Sequence, residues 1–182
     1  ANQSSSTAAD KYNTAVGYNA GLEVTTGTLN TLIGGTAADA LTTGARNVAV
    51  GQGSLGLDTK GSKSVAIGQA ALGTQNFTTA TDAHNVGVGQ QAGVALTTGI
   101  RNTLIGSEAG DALTDADNNV AVGALALTAD TLGSRNTAIG RGALRDQNFT
   151  TATDSYNVAV GYSAGLKITN GLKNTAVGGL AL

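Results

Sequence analysis

The pentapeptide Asn13-Thr14-Ala15-Val16-Gly17 is the first of ten copies of one motif along this 182-residue chain, and most of the other copies differ from it by small changes. Successive copies begin 17 residues apart except for two steps of 21 residues, so four units form a 72-residue super-repeat. Repetition at a fixed period indicates a solenoid, in which each repeat stacks on its neighbours. The units begin at residues 13, 30, 47, 64, 85, 102, 119, 136, 157 and 174.

Each copy of the motif favours a short β-strand that ends at a turn. Thr or Val, then a small residue, then Val or Ile precede an invariant Gly, and β-branched residues favour strands. We expect the fourth motif position, Val or Ile in every unit from Val16 to Val177, to form one buried wall of the core. Leu32 and Leu104 replace the usual Ala or Gly at the third position, and we expect them to point towards partner chains.

These features predict an all-β fold, a parallel β-solenoid over residues 13–182 that follows a polar leader at residues 1–12. Each unit forms one rung, and at about 4.8 Å per rung the rod is about 50 Å long. Aromatic residues make up only 3% of the chain and Pro is absent, which suits a thin, regular interior with uninterrupted backbone ladders. Because the ladder groups of the end rungs lack a cap, we expect the chain either to be cut from a longer fibre or to join other copies end to end.

The first motif position is Asn in nine of the ten units. A buried Asn column joins the rungs of a solenoid, because each amide group bonds to the rung above or below. We expect this ladder to be structural. Its members are Asn13, Asn30, Asn47, Asn85, Asn102, Asn119, Asn136, Asn157 and Asn174.

The motif and the residues after it, as in Ser64-Val65-Ala66-Ile67-Gly68-Gln69-Ala70-Ala71, resemble the head repeats of YadA-like trimeric autotransporter adhesins. Similar repeats occur in trimeric bacteriophage tail-fibre proteins. The resemblance implies a left-handed β-roll, a side-by-side homotrimer, and an extracellular role on a virion tail fibre or a bacterial cell surface. The 17-residue spacing and the preference for Asn over Ser favour a phage-like fibre.

The charge and hydrophobicity of the chain limit the classes of partner that it is expected to bind. A net charge of -2 with only 12% charged residues argues against nucleic-acid binding by the whole chain. No apolar run approaches the roughly 18 residues that a membrane-spanning helix needs, so membrane insertion is not expected. The expected partners are other copies of the chain and a glycan or protein on a host-cell surface.

The column that precedes the motif Asn is rich in cations and also holds the one His, His84. Because this column accepts many residue types, we expect it to be exposed. It is either a contact surface for acidic glycans or lipopolysaccharide, or a solvated face whose charges discourage edge pairing. The cations are Arg46, Lys63, Arg101, Arg135 and Lys173.

Two matching inserts, residues 75–82 and 147–154, produce the 21-residue steps and carry the chain's two Phe residues, Phe77 and Phe149. Each Phe either folds back over the neighbouring rung or contacts a receptor, since exposed aromatic residues often anchor interfaces. The inserts also match the N-glycosylation pattern at Asn76 and Asn148, but such short matches are common by chance.

We expect no catalysis, cofactor or metal, because no convergent set of reactive groups is apparent. The acidic residues Asp111, Asp115 and Asp117 lack the spacing of a calcium loop, and Gly51-Gln52-Gly53 lacks the context of a nucleotide site. The leading hypothesis is a structural fibre or adhesin segment that works by rigid reach and multivalent contact. The alternatives are an ice-binding solenoid, suggested by a Thr column, and the non-catalytic part of a glycan-degrading tailspike.

Overall fold

The structure is a computed structural model that describes residues 11–182. These residues form a parallel β-solenoid of ten rungs without a helix, as the repeat predicted. Residues 1–10 of the expected polar leader lie outside the described residues. Lys11 already belongs to the solenoid, because its carbonyl oxygen accepts a hydrogen bond of 2.8 Å from the Leu29 N–H.

The strands are short and follow one another at the repeat spacing. Ten of them, one per rung, form a single parallel sheet in which each motif position pairs with the same position of the next rung. The remaining four form two small sheets, β4 with β6 and β10 with β12, beside the inserts. In chain order the strands are β1 (Thr14–Val16), β2 (Thr31–Ile33), β3 (Val48–Val50), β4 (Gly61–Ser62), β5 (Val65–Ile67), β6 (Thr81–Asp82), β7 (Val86–Val88), β8 (Thr103–Ile105), β9 (Val120–Val122), β10 (Gly133–Ser134), β11 (Thr137–Ile139), β12 (Thr153–Asp154), β13 (Val158–Val160) and β14 (Thr175–Val177).

The third motif position, and not the fourth, faces the core. Ala49, Ala66 and Ala121 are fully buried, whereas Ile67 and Ile105 at the fourth position are exposed. The prediction that the Val and Ile column forms the buried wall is therefore wrong. Alternate strand residues point to opposite sides of the sheet. One side faces the return segment, by which we mean the part of each unit between the motif Gly and the next motif. This segment packs close to the strand, so the side that faces it accommodates mainly Ala.

Leu32 and Leu104 also point into the core, where both are fully buried, so the expectation that they point towards partner chains is wrong. Glycines make room for them. A Cβ atom on Gly21 would lie 2.6 Å from Leu32 Cδ1, and one on Gly93 would lie 2.6 Å from Leu104 Cδ1. Each large side chain thus fills the space that a missing side chain leaves in an adjacent rung.

Two further columns complete the core on the return segment. The small residue three positions after the motif Gly is buried in nearly every rung, as in Ala71 and Ala143. The next residue is Gly or Ala in five rungs and a buried Leu in four others, and where it is Gly or Ala, a buried Val or Leu usually follows three residues later. The interior is consequently one side chain thick and continuous along the rod.

The Asn column forms the expected ladder. The Asn47 backbone N–H donates to Asn30 Oδ1 at 2.9 Å, and the Asn119 N–H donates to Asn102 Oδ1 at 3.0 Å. In most rungs the side-chain amide also donates to a corner carbonyl of its own rung, as from Asn47 Nδ2 to Gly61 O at 2.9 Å. Every amide of this column therefore ties a strand to a corner or to the neighbouring rung.

Candidate functional site

The ten-stranded sheet presents one flat outer face, which we define as the side chains at the second and fourth motif positions. All twenty of these residues are Thr, Val or Ile, so the face carries no charge. They are half-buried or exposed, and exposure reaches 58% at Val16 and 69% at Val177. A β-branched apolar surface that runs the length of a rod is a typical interaction surface.

One edge of the outer face is the column that precedes the motif Asn, which we call the cationic corner. All ten of its residues have left-handed backbone conformations, with φ between 49° at Tyr12 and 64° at Arg135. Their backbone N–H groups donate to carbonyls of the preceding rung, as from Arg46 to Thr28 O at 2.9 Å. The side chains therefore leave the corner at the same place in every rung. His84, Arg46, Arg101 and Lys173 are exposed there, as expected.

The inserts place carboxylates beside this corner. Lys63 Nζ lies 2.6 Å from Asp82 Oδ2, and Arg135 Nε lies 2.9 Å from Asp154 Oδ1. The Arg135 guanidinium also stacks 5.6 Å from the ring centroid of Tyr156. Two of the five predicted cations are thus partly neutralised by the inserts, which residue spacing alone did not reveal.

The two Phe rings fold back onto the solenoid. Phe77 is 6% exposed and Phe149 is 8% exposed, so the structure shows the first of the two alternatives considered for them. Their carbonyl oxygens accept hydrogen bonds of 2.8 Å from Thr59 Oγ1 and Thr131 Oγ1. Each insert is exposed at the tip that follows the Phe, residues 78–80 and 150–152, and at its last residue, Asp82 or Asp154.

Below each insert lies a buried polar pair that sequence reasoning did not assign. Gln75 Nε2 donates to Asp58 Oδ2 at 2.6 Å, while Asn85 Nδ2 donates to Gln75 Oε1 at 2.9 Å. The Phe77 and Gly61 backbone N–H groups donate to Asp58 Oδ1 at 3.1 Å and 2.9 Å. The same pair recurs 72 residues later as Asp130 and Gln147, at 2.6 Å.

The Asp–Gln pair occupies the column that holds Val or Leu in most other rungs. Its signal in the sequence is an Asp followed 17 residues later by a Gln, twice, in a column that is otherwise apolar. Burial raises the pKa of Asp58 above its ordinary value, and the hydrogen bonds from Gln75, Phe77 and Gly61 offset part of this effect. The pair anchors the start of each insert to the rung beneath it.

The Thr column of the return segment is used within the fold. Thr42 Oγ1 donates to Thr59 O at 2.9 Å, and Thr97 Oγ1 donates to Thr114 O at 3.1 Å. These hydroxyl groups bond along the rod axis to the next rung. The hydroxyl groups of the Thr column that suggested ice binding are therefore used in hydrogen bonds between successive rungs.

The acidic cluster at residues 111–117 is spread over separate hydrogen bonds. Asp111 accepts from Thr128 Oγ1, Asp115 accepts from Thr98 Oγ1 at 2.7 Å, and Asp117 Oδ1 accepts from the Ile100 N–H at 2.7 Å. Within residues 11–182, no three His, Cys, Asp or Glu side chains converge as a metal site would require. The same residues enclose no pocket.

The described part of the chain also contains no helix with the length and hydrophobicity that crossing a membrane requires. Comparisons of the whole sequence with protein-family models, with curated proteins and with solved structures each found no match. The molecule is thus defined by its architecture, a parallel β-solenoid of ten rungs with one uncharged outer face of Thr, Val and Ile.

Proposed function

We propose that this chain is a segment of a surface fibre or adhesin that associates with copies of itself through the outer face and presents its corners and inserts to a cell surface. The observation that carries the proposal is the uncharged, β-branched outer face, which extends over all ten strands. Burial of such a face in an assembly is favourable at roughly 25 cal/mol per Å² of apolar area.

The shape of the molecule supports a mechanical role. Ten in-register rungs joined by backbone ladders and an Asn ladder make a rod about 48 Å long at about 4.8 Å per rung. Each rung contacts mainly its neighbours, so such a rod extends a contact surface away from its point of attachment. This role does not require a binding cleft. The resemblance of the repeats to trimeric adhesin and tail-fibre repeats favours three copies and a host-cell glycan or protein as the target.

Sedimentation of the purified chain at micromolar concentration tests self-association. We expect a trimer from the unaltered chain and a folded monomer from the triple variant Ile67→Asp, Ile105→Asp, Ile139→Asp, because carboxylates on the outer face oppose its burial. A matched control is the triple variant Thr43→Asp, Thr78→Asp, Thr150→Asp, whose exposed sites lie outside the outer face. An unaltered chain that sediments as a monomer would contradict the proposal.

The outer face also supports a second candidate function, ice binding. Thr14, Thr31, Thr103, Thr137 and Thr175 lie at its second position in rungs one, two, six, eight and ten, and Val holds this position in the other five rungs. The relevant surface is therefore the outer face and not the Thr column of the return segment. Thermal hysteresis of a monomeric chain, abolished by the same Ile→Asp triple variant, would favour this candidate over self-association.

A further inference from the structure

The cationic corner combines a costly backbone with long side chains. A left-handed conformation is unfavourable for residues with a Cβ atom, and only Gly, Asn and Asp adopt it routinely. Yet the column contains no Gly, and Asn118 is its only Asn. Five positions hold Arg or Lys, two hold Tyr, and one holds His84. Other columns also hold non-Gly residues in this conformation, as at the buried Leu55 and Leu72, so what distinguishes the corner is its content of Arg and Lys.

The corner arranges its charge in a line. Arg46, Lys63, His84 and Arg101 occupy four consecutive rungs, so their spacing along the rod is about 4.8 Å. Arg135 and Lys173 continue the line at about twice that spacing. The two insert carboxylates, Asp82 and Asp154, neutralise only part of it. An extended anionic polymer parallel to the rod would meet Arg or Lys in five of the eight rungs from the third to the tenth.

We propose that the cationic corner binds a linear acidic polysaccharide that lies parallel to the solenoid axis. The inference rests on the proposed surface-contact function and names the ligand class and the residues. A nucleic acid is the less favourable polyanion, because the chain has a net charge of -2 and the cations form a single line. Tyr156, exposed in the same line and stacked with Arg135, offers an aromatic surface for a sugar ring.

Binding to immobilised heparin at low salt, with neutral dextran as the uncharged probe, tests the proposal. The key variant is Arg46→Asn, Arg101→Asn, Lys173→Asn, which removes exposed cations and inserts the residue that Asn118 already shows to be compatible with the corner. We expect its affinity for heparin to fall roughly threefold to a hundredfold, on the scale of three exposed ion pairs. We expect its melting temperature to stay the same or rise, because Asn tolerates this backbone.

The matched control is Lys60→Asn, Arg141→Asn, Lys167→Asn, which removes the same charge outside the corner and should retain affinity within about twofold. A second variant, Asp82→Asn with Asp154→Asn, releases Lys63 and Arg135 and should bind heparin more tightly. Equal losses of heparin affinity in the corner and control variants would show that binding depends on the overall positive charge and not on the corner. A lower melting temperature of the corner variant would show that the cationic corner has a structural role.

Two further outcomes overturn the proposal, namely an unaltered chain that does not bind heparin, and one that binds single-stranded DNA more tightly than heparin. Sedimentation of the same samples separates this inference from the proposed self-association. A trimer that does not bind heparin leaves the fibre proposal standing and rejects the polysaccharide site. A monomer that binds heparin at the corner supports the polysaccharide site and rejects the proposed self-association.

Discussion

At the scale of single residues, neighbours along a strand have opposite environments. Leu104 is fully buried between Gly93 and Gly110, while Ile105 stands on the outer face. Because side chains alternate across a strand, one residue decides whether a substitution acts on the core or on the surface. The adjacent pair is therefore a direct test of strand orientation.

We predict that Leu104→Asp unfolds the chain, since it removes a buried side chain worth about 2–5 kcal/mol and buries an unpaired charge. Ile105→Asp should retain the strand signal in circular dichroism and change the stability of the isolated chain by less than about 1 kcal/mol. Its effect should appear in sedimentation as weakened self-association. The opposite pattern would restore the Val and Ile column to the core.

The buried carboxylate Asp58 receives only N–H donors, so its replacement by an amide creates a conflict. In Asp58→Asn one carboxylate oxygen becomes an NH₂ group, which cannot accept the hydrogen bonds that Gln75, Phe77 and Gly61 donate. If the amide turns away, these donors lose their acceptor. We expect a loss of about 1–3 kcal/mol in chemical denaturation. The exposed Asp115→Asn is the control, and equal effects of the two would argue against the buried pair.

The pH dependence of Asp58 has a defined sign. Burial raises its pKa in the folded chain above the ordinary value of 3.8, so the folded state binds its proton more tightly than the unfolded state. The stability that this difference contributes is fully present below pH 3.8 and is lost as the pH rises through the folded pKa. The stability of the unaltered chain relative to Asp58→Asn should therefore decrease as the pH rises across this interval. An increase would contradict the direction.

At the scale of elements, each insert is an exposed tip on a buried base that recurs in both copies. The base consists of Phe77, Gln75 and Asp58, residues 78–80 extend outward from it, and Thr81 returns to the solenoid as the first residue of β6. The corner of an ordinary rung is a buried Gly such as Gly44 or Gly61. An insert that is simply shortened by four residues brings Asp82 to that buried corner.

We predict that deletion of residues 78–81 combined with Asp82→Gly leaves a folded solenoid, because it restores the 17-residue step and the corner Gly. The same deletion with Asp82 retained should melt at a lower temperature, because it buries a carboxylate. Thermal melts followed by circular dichroism compare the two variants. Equal melting temperatures would show that the corner does not require Gly.

At the scale of the whole molecule, the two edges of the outer face differ in charge. One edge is the cationic corner with five Arg or Lys, and the opposite edge, after the motif Gly, holds exposed Gln52, Gln69 and Gln90 and a single cation, Arg141. When two faces meet with their rods parallel, the cations of one chain meet the Gln edge of the other. When the rods are antiparallel, the two cationic edges meet and repel. Charge therefore favours a parallel assembly.

Energy transfer between labelled cysteines measures this orientation, because the chain has no Cys of its own. Thr43→Cys and Asn170→Cys lie at exposed, equivalent positions seven rungs apart, about 34 Å along the rod. In a parallel assembly, labels at the same site transfer efficiently, and a mixture of the two sites transfers less. The reverse ranking would show an antiparallel assembly.

The sequence by itself determined the period, the strands, the corner glycines and the Asn ladder. It succeeded because each rung contacts mainly its neighbours, so a local pattern repeated in the chain is also repeated in space. The same reasoning located the cationic corner and the inserts, since identical spacing places residues in one column.

Only the tertiary structure decided which side of each strand faces inward. Strand alternation is compatible with either side, and the larger Val and Ile side chains suggested the wrong one. The closeness of the return segment selects Ala49 and Leu104 for the core instead and leaves Val50 and Ile105 outside. The buried Asp58–Gln75 pair and the folded-back Phe77 likewise depend on what the neighbouring rung supplies. A single unit of the repeat does not contain that information.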